Sequence, residues 1–137
     1  MSITVETRVL THDAALDMLR AACAKATEIG QPQCVVVVDA SGVEIAVIRM
    51  TGARYLSLKS ARAKARTAAS TGTPSADIPD PVKPLIALAT QTEMTGMPGG
   101  LPIRVEGVLV GGIGVGSGSG DEDIAVARAG LDAIGAQ

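Results

Sequence analysis

A chain of 137 residues, 47% of them apolar, has enough to bury for one self-standing domain over residues 1–137 and is too apolar to be globally disordered. A formal charge of −2 and a pI near 5.3 leave no global field that attracts polyanions. With no Phe, no Trp and a single Tyr there is also little aromatic surface for stacking bases, so nucleic acid is excluded as a partner.

The core must be built from Val, Ile, Leu, Ala and Met, and the 16 glycines favour close approach of elements. No run of about 18 apolar residues occurs, which argues against a membrane span. The opening MSITVETRVL lacks the basic-then-apolar layout of a secretory signal. Cys23 and Cys34 form no C-x-x-C and have no second pair for a zinc site. Two buried, reduced thiols in a cytoplasmic protein are therefore expected.

In chain order, Ile3 to Leu10 alternate well enough for an edge strand or an ordered arm. Thr11 is a good N-cap with Asp13 in the first turn, and Ala15, Leu19, Ala22, Ala26 and Ile29 recur at helical spacing until Gly30 and Pro32 stop the helix. Cys34 to Val38 is a run suited to a strand covered on both faces. Asp39-Ala40-Ser41-Gly42 then turns the chain into a second strand over Val43 to Met50. Tyr55 to Ser70 is an Ala-rich helix. Gly72 to Pro84 holds four prolines and is a loop, leading to a short helix between Asp80 and Thr90. Leu101 to Val105 and Val108 to Val115 form a second hairpin around Glu106-Gly107. A last helix starts near Asp121, with Ile124, Ala127, Leu131 and Ile134 on its buried face. Hairpins interleaved with helices predict an α/β (α+β) domain: an antiparallel sheet flanked by helices.

Four pieces of this pattern carry a resemblance. Val35 to Val38 with Asp39-Ala40-Ser41-Gly42, Lys64-Ala65-Arg66-Thr67-Ala68, Pro98-Gly99-Gly100-Leu101-Pro102-Ile103 followed by Gly107 and Gly111 to Val115, and the closing Gly116 to Asp123 stand in order across nearly the whole chain. Together they resemble the GlcG/HbpS family. The resemblance implies a profilin-like sheet with helices on both faces and a homo-oligomer. Some members of that family bind heme or another tetrapyrrole, and the domain also occurs attached to cobalamin adenosyltransferases. Ser41 and Gly116 depart from the family pattern, and Gly72 to Gly96 lacks the aromatic-bearing loop of heme-binding members.

On a helical wheel Lys59, Arg62 and Arg66 make one stripe, read as a solvated face, while Leu58, Ala61, Ala65 and Ala68 make the apolar face. Lys64 lies at the edge of that apolar face, beside Thr67. A lysine there can anchor a carboxylate as a point charge or, if desolvated, act as acid, base or imine former. The expected pocket lies between the second helix, the Pro98–Pro102 turn and the Gly116–Asp121 loop. In it Lys64 and Arg104 would hold an acidic group, Thr67 and Ser117 would offer hydroxyls, and Gly99, Gly100 and Asp121 would shape the wall.

The ligand expected is a tetrapyrrole or a small carboxylate, with heme a candidate cofactor. The alternative is a cofactor-independent lyase, isomerase or hydrolase on a small organic acid, with Lys64 or Glu93 as acid/base. His12 is the sole histidine, so strong histidine ligation of heme is not expected. The glycines from Gly112 to Gly120 fit neither a dinucleotide nor a phosphate-loop frame, and Asp121, Glu122 and Asp123 stand where a phosphate would sit. Alternate glycines instead suit close packing against a strand. No metal site is identified.

Overall fold

The computed structural model describes residues 1–137. Helix α1 (His12–Glu28) leads into strands β1 (Cys34–Asp39) and β2 (Glu44–Arg49). Helix α2 (Ser57–Thr71), a one-turn 3-10 segment over Ser75–Asp77 and helix α3 (Lys83–Ala89) follow. Strands β3 (Gly100–Val105) and β4 (Val108–Gly116) and helix α4 (Gly120–Ala133) complete the chain. The sheet runs β2-β1-β4-β3 and is antiparallel throughout, as the interleaved hairpins predict.

The termini of the helices follow local chemistry. Thr11 accepts a hydrogen bond from the Ala14 amide at 3.1 Å, and Ser119 and Glu122 form a reciprocal capping box at the start of α4. Gly72 ends α2 in the left-handed conformation (φ 71°).

Strand β1 lies at the centre, and its side chains alternate between two cores. Val35 and Val37 face a cluster that joins Met18, Ile103, Ile113 and Leu131 under α1 and α4. Cys34, Val36 and Val38 face Ala61, Ala65 and Ala69 of α2. Each of these valines is fully buried, contributing about 1.5–3 kcal/mol. α2 lies directly on β4: a Cβ added at Gly112 or Gly114 would collide with the carbonyls of Ala65 or Ala61. The alternate glycines thus serve close helix packing, as expected. The opposite register is filled by Ile113, which reaches up to Gly130 of α4.

Of the two readings of residues 3–10 the ordered arm holds: no strand forms there, and Ile3, Val5 and Val9 are exposed. Leu10, buried in the core, and Arg8, paired with Glu106 at 2.8 Å, tie the arm to the body. Two expectations are corrected. On α4 the buried positions are Asp123, Val126, Ala127, Gly130 and Leu131, while Ile124 and Ile134 are half-buried. The short helix starts only at Lys83, with Pro84 in its first turn, where a missing amide proton costs nothing. No helix is long and apolar enough to cross a membrane.

Candidate functional site

The Pro98–Gly100 turn, α2 and the loop before α4 do converge, but on a closed interior cluster. Lys64 and Asp123 are both buried and pair at 3.0 Å. The Lys64 ammonium also donates to the Val115 carbonyl at 2.8 Å, and the Gly118 amide donates to Asp123 at 3.0 Å. Burial pushes the Asp123 carboxyl up, against the opposing pull of the Lys64 ammonium. Gln33 is fully buried beside them, and both atoms of its side-chain amide lack a partner.

The expected pocket residues are thereby reassigned. Lys64 faces no open cavity, because Asp123 occupies the place of a ligand carboxylate. Gly99 and Gly100 are part of the same packing: a Cβ at Gly99 would come 2.9 Å from Asp123 and 3.1 Å from the Lys64 side chain. The buried Thr67 hydroxyl donates to the Ala63 carbonyl at 2.7 Å and accepts from the Thr95 amide at 2.9 Å. It pins the loop after α3. Ser117 accepts from the Arg54 amide at 3.1 Å. Arg104 donates to the Gly72 carbonyl at 3.1 Å, away from Lys64. Asp121 is exposed in the first turn of α4. Glu93 is exposed and pairs with Arg66 at 3.5 Å, so Lys64 and Glu93 share no cavity.

A run of hollows lies on the outer face of α2. At its start a depression of about 630 Å³ is lined by Arg49, Arg54, Tyr55, Leu56, Ser57 and Ser60, among others. Leu56 and Ser60 also line a second hollow of about 360 Å³, whose walls include Ala63, Ala87, Met94 and Lys59. Lys59, Ala63 and Thr92 continue into a third, polar hollow of about 360 Å³ with Arg62, Arg66 and Glu93. Shared residues make these one groove.

Its electrostatics are one-sided. Arg62 pairs with Glu44, and Arg66 with Glu44 and Glu93. Arg49, Arg54 and Lys59 lie within ion-pair distance of no carboxylate, and no acidic residue lines the first two hollows. The roof is the turn after α3, where Gln91 and Thr92 hold φ of 54° and 67°. A β-branched residue in that region is held there by its surroundings at a cost of about 1–3 kcal/mol. The basic stripe expected to be plainly solvated is the groove's rim. Its sequence signal was the combination of Leu56 and Ala63 with Lys59 on one side of the helix.

No group of His, Cys, Asp and Glu side chains is assembled to hold a metal ion. Cys34 is buried and Cys23 half-buried, both unpaired, and burial pushes both thiols up.

Residues 10–132 match the family model described as haem degrading protein HbpS-like. The chain belongs to the HbpS-like family. It is 33% identical over 122 residues to the corrinoid adenosyltransferase PduO of Salmonella typhimurium. That match takes in 85% of the chain but 36% of PduO, so the chain spans about a third of the length of this curated relative. Among solved structures, the HbpS-like fold superposes on the Klebsiella pneumoniae protein ORFY with TM-score 0.94 and 29% identity, covering 100% of this chain and 98% of that one. The PduOC:heme complex gives TM-score 0.88 and 29% identity, covering 95% and 98%.

Proposed function

We propose that the protein binds a small acidic ligand with an apolar ring system, a tetrapyrrole, in the groove on α2. The observation that carries this is the continuous wall of Leu56, Ala63, Ala87 and Met94 beside three unpaired cations, Arg49, Arg54 and Lys59. Small side chains at positions 63 and 87 leave room for a flat body, and the cations match carboxylates. The family description and the heme complex of the PduOC relative support the same class.

The donor set fits heme. Carboxylates find cations, the ring finds apolar side chains, and a phenol (Tyr55) and a thioether (Met94) are present as iron donors. His12 lies in the α1 layer, across the sheet from α2. Bound heme would supply a redox-active iron. The chain's own residues would neutralise the carboxylates and keep water from one face of the ring. Self-association belongs to the same proposal, since Leu56, Leu85 and Leu88 stay exposed around the groove and Ile3, Val5 and Val9 along the arm.

Titration with hemin and with metal-free protoporphyrin, followed by absorbance and fluorescence, tests the reading. Saturable binding of both is expected, weakened about tenfold or more in an Arg54→Glu/Lys59→Glu variant that folds normally. Absence of saturable binding, or equal binding by the variant, overturns it. Light scattering that shows only a 13.8 kDa monomer at micromolar concentration would remove the self-association.

A further inference from the structure

A groove that holds an iron tetrapyrrole must either leave the metal to solvent or offer it a donor, and the side chains able to ligate iron are few. His12 is exposed at the start of α1, in the opposite helical layer. Cys23 is on that same helix. Cys34 is buried, with its sulfur 3.5 Å from the Arg54 carbonyl, and burial holds its proton on. Met94 lines the apolar hollow, but a thioether is a soft, neutral donor poorly matched to ferric iron. Tyr55 remains. The residue is 71% exposed, its hydroxyl makes no hydrogen bond, and it lines the largest depression of the groove together with Arg49 and Arg54.

The backbone beneath it is fixed although the ring is free. The Leu58 amide donates to the Tyr55 carbonyl at 3.1 Å, and the Ser57 amide to the Arg54 carbonyl at 3.0 Å. The Arg54 amide is itself held by Ser117. This tight turn sets Tyr55 one turn ahead of Lys59, at the near end of the apolar wall. Fixed backbone with an unengaged hydroxyl suits a donor that completes its bonding only when a ligand arrives.

We propose that Tyr55 is the oxygen ligand of a ferric tetrapyrrole bound on α2, an assignment that rests on the groove reading above. Ligation forms one iron–oxygen bond, displaces a water or halide from the metal and releases the phenolic proton to solvent. The iron stays ferric. The negative charge left on the oxygen would lie in a hollow that Arg49 and Arg54 also line, neither of them ion-paired with a carboxylate. A hard anionic donor favours ferric over ferrous iron, so reduction should loosen the complex.

The test compares wild type, Tyr55→Phe, Met94→Leu and His12→Ala, each titrated with hemin and with metal-free protoporphyrin. Wild-type ferric complex is expected to show a phenolate-to-iron charge-transfer band with phenolate modes in its resonance Raman spectrum. Both should vanish in Tyr55→Phe, with hemin affinity falling about tenfold or more and protoporphyrin affinity unchanged. His12→Ala should keep the ferric spectrum and the affinity, and Met94→Leu, which alters the groove wall, should still show the phenolate band in whatever complex it forms. If neither tetrapyrrole binds wild type, the groove reading has failed and the assignment with it. If both bind, but the band is absent, survives in Tyr55→Phe, or disappears in His12→Ala or Met94→Leu, the groove stands and Tyr55 is not the ligand.

Discussion

The two faces of the sheet are built on opposite principles. Toward α1 and α4 the space is filled with volume: 17 buried residues form that cluster, Met18, Ile103, Ile113 and Leu131 among them. Toward α2 the cluster has 7, none larger than valine, and the space is closed by bringing backbones together over Gly112 and Gly114. Hydrophobic burial scales with area, so the first face supplies most of the driving force. The second supplies position. A helix seated on bare backbone has little room to shift, and the groove outside it inherits that rigidity.

The largest expected effect comes from cutting the tie between the faces, since Lys64 belongs to α2 and Asp123 to α4. Lys64→Met should cost about 3–5 kcal/mol in denaturant unfolding, because a buried carboxylate loses its partner. Adding Asp123→Leu should restore most of it. A single variant as stable as wild type would show the pair to be idle.

Next comes a contrast on neighbouring positions of one strand. Gly114→Val must displace α2 and is expected to cost about 1–3 kcal/mol or more, together with weaker tetrapyrrole binding. Ile113→Val, which opens space on the other face, should cost about 0.5–1.5 kcal/mol and leave binding unchanged. Equal binding losses in the two would mean that the groove is not set by the seating of α2.

The smallest effect is a slope. Burial raises the Asp123 carboxyl, so the folded state binds its proton more tightly than the unfolded state. Stability should then fall as pH rises from the ordinary carboxylate value, about 3.9, through the raised one, and level off above it. Asp123→Asn should flatten that decline. A rise over the same window, or a decline that survives in the variant, would contradict the assignment.

The fold was legible because its signals are local. Thr11 as N-cap, the valine run of β1, the two hairpin turns and the small-residue face of α2 each depend on neighbours within a few positions. The interior pair was not legible in the same way, because Lys64 and Asp123 stand 59 residues apart and no local pattern announces a partner at that distance. A lysine at the edge of an apolar face looks the same whether it meets a ligand or a buried aspartate. The groove was half-visible. Its floor and rim are on α2, but its roof depends on where a proline-rich loop returns, and the amide of Thr95 docked on Thr67 decides that. The arm's alternating residues carry a strand pattern without a strand to pair with.

The seating of α2 on β4 also governs how this sequence can drift over generations. Position 113 can exchange among aliphatic residues of similar bulk, whereas 112 and 114 are closed to anything with a side chain. From position 112 onward, substitution along β4 should therefore ripple with a period of two, frozen and free positions alternating. A glycine kept for such a reason leaves the same imprint in an alignment as one kept to cradle a phosphate. Here Gly112 and Gly114 mark the footprint of a helix, and the residues that distinguish one ligand from another should be sought among the side chains on that helix's far side.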